Sequence, residues 1–438
     1  MDIETTPLLT DLYELTMLSA YRDQGMNETA VFEFFVRDAG ERRPCFVTAG
    51  VDTAVDWLEQ AQFSDEECAW LRACGHFDDD FVEAMAEWRF TGTVRAMPEG
   101  TIAFPEEPIL QVIAPLPEAQ LVESRLMNIL HGQTLLASKA IRAKLAAGPR
   151  MLVDFGLRRA HGGEAGLWAA RSCYLAGFDA TATCLAGARY GIPVSGTMAH
   201  SFILAHNDES QAFLNFARSH PDNVVLLIDT YDVETGAQRV TEVAPQLASE
   251  GIAIKGVRID SGDLAAHARE VRRILDAANL SQTRILVSGG LDEDRIADLV
   301  ADGAPIDGFG VGSRVDSSAD VPYLDCAYKL HEYGGQPVHK RSEKKNDLPG
   351  RKQIVRQYDS DGVMSGDTIG FDGEPIEGES LLVTKMQGGE RTTDADSIEV
   401  ARQRCTDQSQ RLPASFRHLD TSPTYSVYHS PQLKKLTS

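Results

Sequence analysis

The feature of this sequence that most constrains its fold is a series of short apolar runs, each ending in polar or glycine residues. The runs occupy residues 151–154, 192–196, 224–229, 256–260, 285–288 and 308–312. The later runs recur roughly every 25 to 30 residues, which is the length of one strand–helix unit. Short, continuously apolar strands are typical of a parallel sheet that is buried on both faces. The sequence therefore predicts an α/β fold with an irregular (β/α) barrel, and an open doubly wound sheet is the alternative.

The segments on either side of this series have a different pattern. Residues 1–116 mix helical stretches with strand-like runs and predict an N-terminal α+β domain. Residues 117–330 begin with a long amphipathic helical stretch and carry the barrel. Residues 331–400 are polar with short strand-like pieces, which predicts a β-rich segment that packs on the N-terminal domain. Residues 401–438 are expected to form a tail, extended from Pro413 onwards.

Charge and composition exclude several classes of function. The net charge of -23 argues against nucleic acid as a partner, because phosphate contacts need clustered Lys and Arg. No run of about 18 apolar residues is present to span a membrane, and the acidic N-terminus lacks the features of a secretory signal. The seven cysteines have no C-x-x-C spacing, which favours reduced thiols over a disulfide framework or a zinc site. A cytoplasmic protein is expected.

Candidate functional residues follow the apolar runs, because the loops after parallel barrel strands converge on one face and form the active site. These residues are Phe155, Arg158, Arg159, Thr197, His200, Asp229, Arg258, Asp260, Asp263, Ser288, Gly289, Gly290, Gly310, Gly312 and Ser313. The glycines after the last two runs are the best phosphate candidates, since backbone N–H groups can approach phosphate oxygens there. A turn explains each glycine pair alone equally well, but two at consecutive strand ends favour phosphate binding.

The charged residues in these loops each have a functional and a structural interpretation. Asp229, Asp260 and Asp263 can bind Mg²⁺ through water or stabilise positive charge on a sugar, but aspartate is also a favoured helix N-cap. Arg158 and Arg159 are expected on an extended segment, with their side chains on opposite sides. Each can bind a carboxylate or phosphate by paired hydrogen bonds, or form a surface ion pair.

His200 stands in a Gly-Thr-Met-Ala-His loop at a predicted strand end. An imidazole there can act as an acid, a base or a phosphoryl acceptor, whereas a lone histidine elsewhere more often packs or caps. An aldolase or isomerase of phosphorylated sugars on a similar barrel would need a lysine at a strand end. Lys255 is the nearby candidate and it precedes its strand, so the sequence argues against that chemistry.

Six motifs occur in order along the chain. They are Thr10-Asp-Leu-Tyr-Glu-Leu-Thr-Met17, Glu33-Phe-Phe-Val-Arg37, Asp154-Phe-Gly-Leu-Arg-Arg-Ala-His161, Gly196-Thr-Met-Ala-His-Ser-Phe202, Val257-Arg-Ile-Asp-Ser-Gly-Asp263 and Gly310-Val-Gly-Ser313. With them the chain resembles the nicotinate phosphoribosyltransferases from Thr10 to about Arg356, and Pro349-Gly-Arg-Lys352 also fits this family. Six ordered motifs are far more specific than any single one.

The resemblance implies a type II phosphoribosyltransferase fold, in which an irregular α/β barrel lies beside a mixed α+β domain built from both chain ends. The implied reaction forms nicotinate mononucleotide and pyrophosphate from nicotinate and phosphoribosyl pyrophosphate, in NAD salvage. It is coupled to ATP hydrolysis through a phosphohistidine at His200. Mg²⁺ would accompany the substrate phosphates, with Asp260 as the candidate ligand. Zinc is not expected, because only Cys326 and Cys405 are available where some relatives hold it.

The resemblance also implies roles for the loop residues. His200, Asp229, Asp260, Asp263 and Arg258 would be catalytic, whereas the substrate-binding residues would be Tyr13, Phe155, Arg158, Arg159, Thr197, Ser288, Gly289, Gly290, Gly310, Gly312 and Ser313. Tyr13 and Phe155 would enclose the pyridine ring. The family is usually dimeric, with the Tyr13-type loop of one subunit completing the site of the other. A homodimer with shared sites is therefore expected.

Two alternatives fit the sequence less well. The nicotinamide branch of these enzymes has a single Arg before Gly after its Asp-Phe-Gly, and the quinolinate branch lacks the Gly-Thr-x-Ala-His loop. A non-catalytic, ligand-binding relative would retain the barrel without turnover. The presence of His200, both arginines and all three aspartates argues against that alternative.

Overall fold

The computed structural model describes residues 2–38, 40, 42–342, 345–346 and 348–437. The chain forms two compact units: unit 1 comprises Met1–Ser138 and Tyr323–Ser438, and unit 2 comprises Lys139–Pro322. Unit 1 therefore contains both ends of the chain. The first boundary between the two units lies inside the long helix Glu123–Ala147, whereas the sequence predicted it after residue 116. The change of pattern at residue 117 marks the start of helical structure and not the start of unit 2.

The N-terminal segment of unit 1 combines helices with short antiparallel strands. Its elements are α1 (Leu12–Asp23), β1 (Thr29–Asp38), β2 (Phe46–Val47), α2 (Val51–Gln60), α3 (Asp65–Ala73), α4 (Asp79–Glu87), β3 (Thr93–Ala96), β4 (Ile102–Ala103), β5 (Pro108–Pro115), α5 (Leu116–Leu121) and α6 (Glu123–Ala147). A capping box of Asp11 and Glu14 starts α1, because these side chains satisfy backbone N–H groups that the first turn leaves free. The last of these helices, α6, continues into unit 2.

Unit 2 alternates strands with helices. Its elements are β6 (Met151–Asp154), a 3₁₀ helix (Leu157–Arg159), α7 (Gly163–Leu175), β7 (Ala180–Thr181), α8 (Cys184–Tyr190), α9 (His200–Leu204), α10 (Glu209–Ser219), β8 (Val224–Leu227), α11 (Val233–Ser249), β9 (Ile254–Ile259), α12 (Leu264–Ala277), β10 (Arg284–Val287), α13 (Glu293–Ala301), β11 (Gly308–Val311) and α14 (Ser313–Asp316). Two of these strands, β8 and β11, are apolar and buried at every position, as expected for a sheet covered on both faces, whereas β9 and β10 also carry charged residues.

The sheet of unit 2 has the strand order β7-β6-β11-β10-β9-β8, and all neighbouring strands are parallel. The first strand lies beside the last, as in a barrel, but β7 and β8 stand at the two edges. The sheet is therefore a half-barrel. The predicted parallel α/β sheet is confirmed, but its edge strands do not pair to close a full barrel. The run over 192–196, predicted as a full strand, makes one bridge from Val194 to Thr181.

The C-terminal segment of unit 1 is rich in strands. Its elements are β12 (Asp325–Tyr333), β13 (Gln336–Pro337), β14 (Arg341–Ser342), β15 (Lys345–Asn346), β16 (Lys352–Tyr358), β17 (Met364–Phe371), β18 (Glu379–Ser380), β19 (Val383–Gln387), β20 (Glu390–Arg391), α15 (Ile398–Gln410), a 3₁₀ helix (Ala414–Arg417), β21 (Val427–His429) and α16 (Pro431–Thr437). Both chain ends share a seven-stranded sheet with the order β13-β12-β1-β5-β3-β19-β20. A four-stranded sheet has the order β18-β16-β17-β21.

The extended tail predicted from Pro413 onwards is wrong. β21 pairs in parallel with β17, and α16 follows it with the side chain of Leu433 fully buried. A strand of three residues carries too short a pattern to be recognised in a polar sequence, because its stability depends on a distant partner strand. Within the described ranges, no helix combines the length and apolarity needed to cross a membrane.

Candidate active site

A pocket of about 250 Å³ lies in unit 2, at the carboxyl ends of the parallel strands. Loops after β6, β9, β10 and β11 form its walls, because the carboxyl ends of parallel strands meet at one edge of the sheet. Its lining residues are Phe155, Arg158, Arg159, Arg258, Asp260, Ser288, Gly289, Gly290, Leu291, Gly310, Gly312, Ser313 and Arg314. Most of the candidate residues from four separate loops thus line one pocket.

Arg258 holds several of these loops together. Its guanidinium donates hydrogen bonds to the hydroxyl of Ser288 at 3.0 Å and to the hydroxyl of Thr197 at 3.0 Å. A third hydrogen bond goes to Oδ1 of Asp260 at 3.2 Å, and the guanidinium carbon lies 5.4 Å from the centre of the Phe155 ring. Because the planar guanidinium is fixed by three partners, it presents its charge to the pocket in one orientation.

His200 and Asp229 form a pair beside this pocket. Nε2 of His200 lies 3.2 Å from Oδ1 of Asp229, whose side chain is almost wholly buried. The other oxygen of Asp229 accepts the backbone N–H of Asp260 at 3.0 Å and the hydroxyl of Ser261 at 2.7 Å. With both of its carboxylate oxygens occupied, Asp229 is suited to orient the imidazole rather than to bind a metal ion directly.

The loop Ser288–Gly290 can approach a ligand with its backbone. Gly289 and Gly290 have φ of 95° and 65°, which favours glycine. A Cβ atom on Gly289 would lie 2.1 Å from the carbonyl oxygen of Asp260. Within the described part of the chain the N–H groups of Gly289 and Gly290 donate no hydrogen bond, so they are available for an anion.

The segment Gly310–Ser313 lies beside the first loop, because β10 and β11 are neighbouring strands. A Cβ atom on Gly310 would lie 2.5 Å from the ring of Phe155, so the aromatic side chain packs directly on the backbone of β11. Phe155 also donates its N–H to the carbonyl of Val311 at 2.7 Å. This loop therefore places an aromatic ring and a glycine-rich turn side by side.

Arg158 and Arg159 line the pocket, but the extended segment predicted for them is wrong. They lie on the 3₁₀ helix Leu157–Arg159, where both are exposed. Successive side chains of a 3₁₀ helix are about 120° apart, and therefore do not point in opposite directions. Oδ1 of Asp154 accepts the N–H of Gly156 at the start of this turn. The chain therefore turns after Phe155 and does not continue as an extended segment.

Two predicted residues are not among those that line this pocket. Asp263 is exposed and caps α12 by accepting the N–H of Ala266 at 3.2 Å, which is the structural interpretation of this aspartate. Tyr13 is half-exposed on α1 and belongs to unit 1. Its pKa is raised by burial and by the charges of Glu123 and Glu14.

Sequence reasoning missed Arg314. Its guanidinium lines the pocket and forms an ion pair with Asp292. The signal was present, because Arg314 directly follows the Gly310-Val-Gly-Ser313 motif and adds a cation to the predicted phosphate loop.

The carboxylate oxygens in the pocket fit a Mg²⁺ ion that would arrive bound to the substrate phosphates. Oδ1 of Asp260 accepts hydrogen bonds from Arg258 and Ser288, which leaves one oxygen of a carboxylate that is about one third exposed. Across the described residues no group of three or more His, Cys, Asp or Glu is arranged to hold a metal. Mg²⁺ commonly binds through one or two carboxylates together with substrate phosphates, so Asp260 is the residue that would hold it.

A second cavity of about 540 Å³ continues from the pocket along the inside of the sheet. It shares Phe155, Arg258 and Ser288 with the pocket and reaches the strand starts at Met151 and Arg284. Side chains therefore do not fill the inside of the half-barrel, and a planar ring can enter beside Phe155.

Family models match nearly all of the chain. The nicotinate phosphoribosyltransferase N-terminal domain matches residues 8–131, the nicotinate phosphoribosyltransferase family matches residues 151–359, and the C-terminal domain matches residues 371–437. The chain is 46% identical over 428 residues to a nicotinate phosphoribosyltransferase of Mycobacterium tuberculosis, covering 97% of this chain and 92% of the relative. It is 38% identical over 388 residues to that of Bacillus subtilis, covering 86% and 79%.

The fold matches a solved structure over its whole length. The crystal structure of human nicotinic acid phosphoribosyltransferase superposes with a TM-score of 0.89 at 30% identity, covering 98% of this chain and 99% of the human one. The glycine-rich loops, Arg258 and the His200–Asp229 pair lie within the residues matched by the central family model. The chain belongs to the nicotinate phosphoribosyltransferase family.

Proposed function

We propose that this protein forms nicotinate mononucleotide and pyrophosphate from nicotinate and phosphoribosyl pyrophosphate, for NAD salvage, with ATP hydrolysis coupled through His200. The observation that carries this proposal is the convergence of two glycine-rich loops, Arg258 and the His200–Asp229 pair at one edge of the half-barrel. Family membership supports the choice of substrates.

The two glycine-rich loops are the proposed site of the 5-phosphate. The free N–H groups of Gly289 and Gly290 supply hydrogen-bond donors, and Arg314, directly after Ser313, supplies a positive charge. Backbone donors fixed in a turn need no reorganisation when the anion arrives, so they bind it at a low entropic cost. Ser313 and Gly312 complete the same loop.

The pyridine ring is placed against Phe155. The ring of Phe155 packs against the backbone of Gly310, and the guanidinium carbon of Arg258 lies 5.4 Å from its centre. The carboxylate of nicotinate then lies within reach of Arg258 or of Arg158 and Arg159, and arginine binds carboxylates by paired hydrogen bonds. A neutral amide in place of the carboxylate would lose this charge pairing.

The transfer step needs little covalent help from the protein. The pyridine nitrogen forms a bond to C1′ as the bond from C1′ to pyrophosphate breaks, and positive charge develops on the sugar. The carboxylate of Asp260 is suited to stabilise that charge. When bound with the substrate, Mg²⁺ neutralises the departing pyrophosphate.

The His200–Asp229 pair supports the proposed phosphohistidine. If Nε2–H donates to Asp229, the lone pair of the imidazole is on Nδ1, which is then the atom that attacks the γ-phosphoryl group of ATP. The bond from Nδ1 to phosphorus forms as ADP leaves, and water later hydrolyses it. The buried carboxylate stabilises the positive imidazole during this step, as it does in other carboxylate–histidine pairs.

A homodimer is proposed from the surface of unit 1. Leu9, Leu12, Tyr13 and Trp70 are large apolar side chains that are between 39% and 46% exposed. Leu12 on α1 and Trp70 on α3 line one surface pocket, and Leu9 and Tyr13 lie close to Leu12 in the sequence. Exposed apolar groups of this kind mark association sites, and a second copy that covers them would bring Tyr13 to a shared active site. The half-barrel of unit 2 is proposed to act as an incomplete (β/α) barrel whose interior admits the ring.

The test is product formation from phosphoribosyl pyrophosphate with nicotinate, nicotinamide or quinolinate, each with and without ATP. Nicotinate mononucleotide formed from nicotinate alone, and faster with ATP, is the expected result. Product formed from nicotinamide or quinolinate instead would show that the protein is specific for that base. The absence of product from all three would overturn the proposed activity.

A further inference from the structure

Two aspartates lie buried together beneath the pocket, and neither takes part in the chemistry described above. Asp154 ends β6 and Asp316 ends α14, and they are 1% and 4% exposed. Asp154 directly precedes Phe155, whereas Asp316 ends the short helix that Gly312 caps and Ser313 begins. The pair therefore lies where the aromatic loop and the proposed phosphate loop meet.

The partners of the two carboxyl groups differ. One oxygen of Asp154 accepts the N–H of Gly156 at 2.8 Å and the other accepts the hydroxyl of Thr181 at 2.6 Å. These two hydrogen bonds stabilise the ionised form of Asp154. Neither oxygen of Asp316 has a hydrogen-bond donor among the residues that the structure describes. A buried carboxylate without donors is unstable as an anion, because nothing replaces the water it has lost.

The packing around Asp316 leaves no room for rearrangement on the side of the aromatic loop. A Cβ atom on Gly156 would lie between 2.0 and 2.2 Å from the carboxyl atoms of Asp316. The Asp316 carboxyl thus lies directly against the Gly156 backbone, one residue after Phe155. A Cβ atom on Gly312 would likewise lie 3.0 Å from the carbonyl oxygen of Phe155.

The titratable groups that face this carboxyl come from two elements. Burial, and then the charge of Asp154 from β6, raise the pKa of Asp316 to about 9. The thiol of Cys173 on α7 is wholly buried, and its pKa is itself raised by burial and by both aspartates. Arg158 and Arg159 on the 3₁₀ helix are exposed, and Arg314 on α14 pairs with Asp292. Among the described residues no cation forms an ion pair with either aspartate.

We propose that Asp316 retains its proton and donates it to the carboxylate of Asp154, so that one hydrogen bond joins the Phe155 loop to the Gly310–Ser313 loop. A carboxyl that donates to a carboxylate forms a short, strong, charge-assisted hydrogen bond. Asp316 is thereby a positioning residue for the transfer reaction: it holds the ring-binding side chain and the phosphate-binding backbone in register. Loss of the proton would leave two buried negative charges that push these loops apart.

The test compares wild type with Asp316→Asn and Asp316→Val between pH 6 and 10. The asparagine amide donates to Asp154 at every pH, so Asp316→Asn should keep near wild-type activity at pH 7. Wild-type kcat/KM for nicotinate should fall about tenfold per pH unit above pH 9, whereas the fall should be absent in Asp316→Asn. Asp316→Val lacks the donor and should have a raised KM for nicotinate at every pH. Cys173→Ala controls for the thiol and should keep the wild-type profile.

An alkaline fall in Asp316→Asn equal to that of wild type would overturn the proposal, as would loss of its activity at pH 7 while circular dichroism shows an intact fold. A second readout does not depend on the proposed activity. The infrared difference spectrum between wild type and Asp316→Asn at pH 7 should show loss of a protonated carboxyl band. Loss of an ionised carboxylate band instead would show that Asp316 is charged, and the proposal would be wrong.

Discussion

Single residues in this site are fixed by few but specific partners. Asp229 connects His200 to the backbone of Asp260, and Arg258 connects Thr197 to Ser288. Such residues act through the geometry that they impose on their neighbours. Their removal therefore changes the reaction more than it changes the stability of the fold.

His200→Ala should abolish the ATP hydrolysis that nicotinate stimulates, because among the described residues no other histidine pairs with Asp229. Transfer without ATP should persist, since the proposed transfer step does not use this side chain. ADP release is the measurement. His206→Ala is a suitable control, because this histidine contacts Phe202 through its Nδ1 and its ring and does not line the pocket, so it should leave coupling unchanged. Coupled ADP release that survives in His200→Ala would remove the phosphoryl role.

Gly289→Ala should raise the KM for phosphoribosyl pyrophosphate, with little change in the KM for nicotinate. Its Cβ would lie 2.1 Å from the carbonyl oxygen of Asp260, so the loop must shift. Gly303→Ala is the matched control, since Gly303 also has positive φ, at 65°, but has nothing within 4 Å of its Cβ position. Both variants carry similar backbone strain of about 1 kcal/mol. An equal effect of the two on KM would place the phosphate elsewhere.

Single elements were predictable where their pattern is long or continuous. β6 lies over Met151–Asp154, where the apolar run predicts it, because a fully buried strand needs an unbroken apolar sequence. β7 has two residues and β21 has three, so neither leaves a pattern. The 3₁₀ helix at Arg158 and Arg159 follows a turn in which Asp154 accepts the N–H of Gly156, and the carboxylate is also held by Thr181, which is distant in sequence. Asp316 was missed because its partner is distant in sequence.

The contact between the β6 loop and α14 should also affect stability, in a direction that follows from proton linkage. Burial and Asp154 raise the pKa of Asp316 to about 9 in the folded state, and an unfolded aspartate has a pKa of about 4. The folded state therefore holds the proton more tightly, and stability from this group is full below about pH 4 and is lost progressively up to about pH 9.

Asp316→Asn has no such proton, so its melting temperature relative to wild type should rise as pH increases from 5 to 9. The corresponding difference in the free energy of unfolding between the two proteins should change by at most about 1.4 kcal/mol per pH unit. Thermal unfolding followed by circular dichroism in a series of buffers measures it. A constant difference across this range would mean that Asp316 ionises normally.

At the scale of the whole molecule, the proposed homodimer with shared sites predicts complementation between inactive variants. Tyr13→Ala and His200→Ala should each be impaired in coupled synthesis. Unfolding and refolding the two together should form mixed dimers in which one of the two sites has both native residues. About a quarter of wild-type activity is expected from an equal mixture. No recovery, in a mixture that sedimentation shows to be dimeric, would argue that each site takes both residues from one chain.

The architecture of the whole molecule was the part that the sequence predicted most fully, because ordered motifs and strand–helix spacing extend over most of the chain. The open edge of the half-barrel was not predicted, since the run over 192–196 has the composition of a strand and forms only a bridge at Val194. Of the site, the pocket-lining glycines and arginines follow from strand ends. Asp263 shows the limit of that reasoning, because a cap and a catalytic carboxylate look alike in sequence.

The seven-stranded sheet of unit 1 also imposes an order on biosynthesis. β1 and β5 emerge early from the ribosome, but the outer neighbour of β1 is β12 and the neighbour of β3 is β19, which are made some 200 to 300 residues later. Through most of translation the growing chain therefore displays a partly assembled sheet with two unpaired edges. Unit 2, a single continuous stretch, can complete its own sheet during that interval. Strands that are made late complete the sheet that β1 and β5 began, so nascent chains released before β12 and β19 are expected to be the aggregation-prone species.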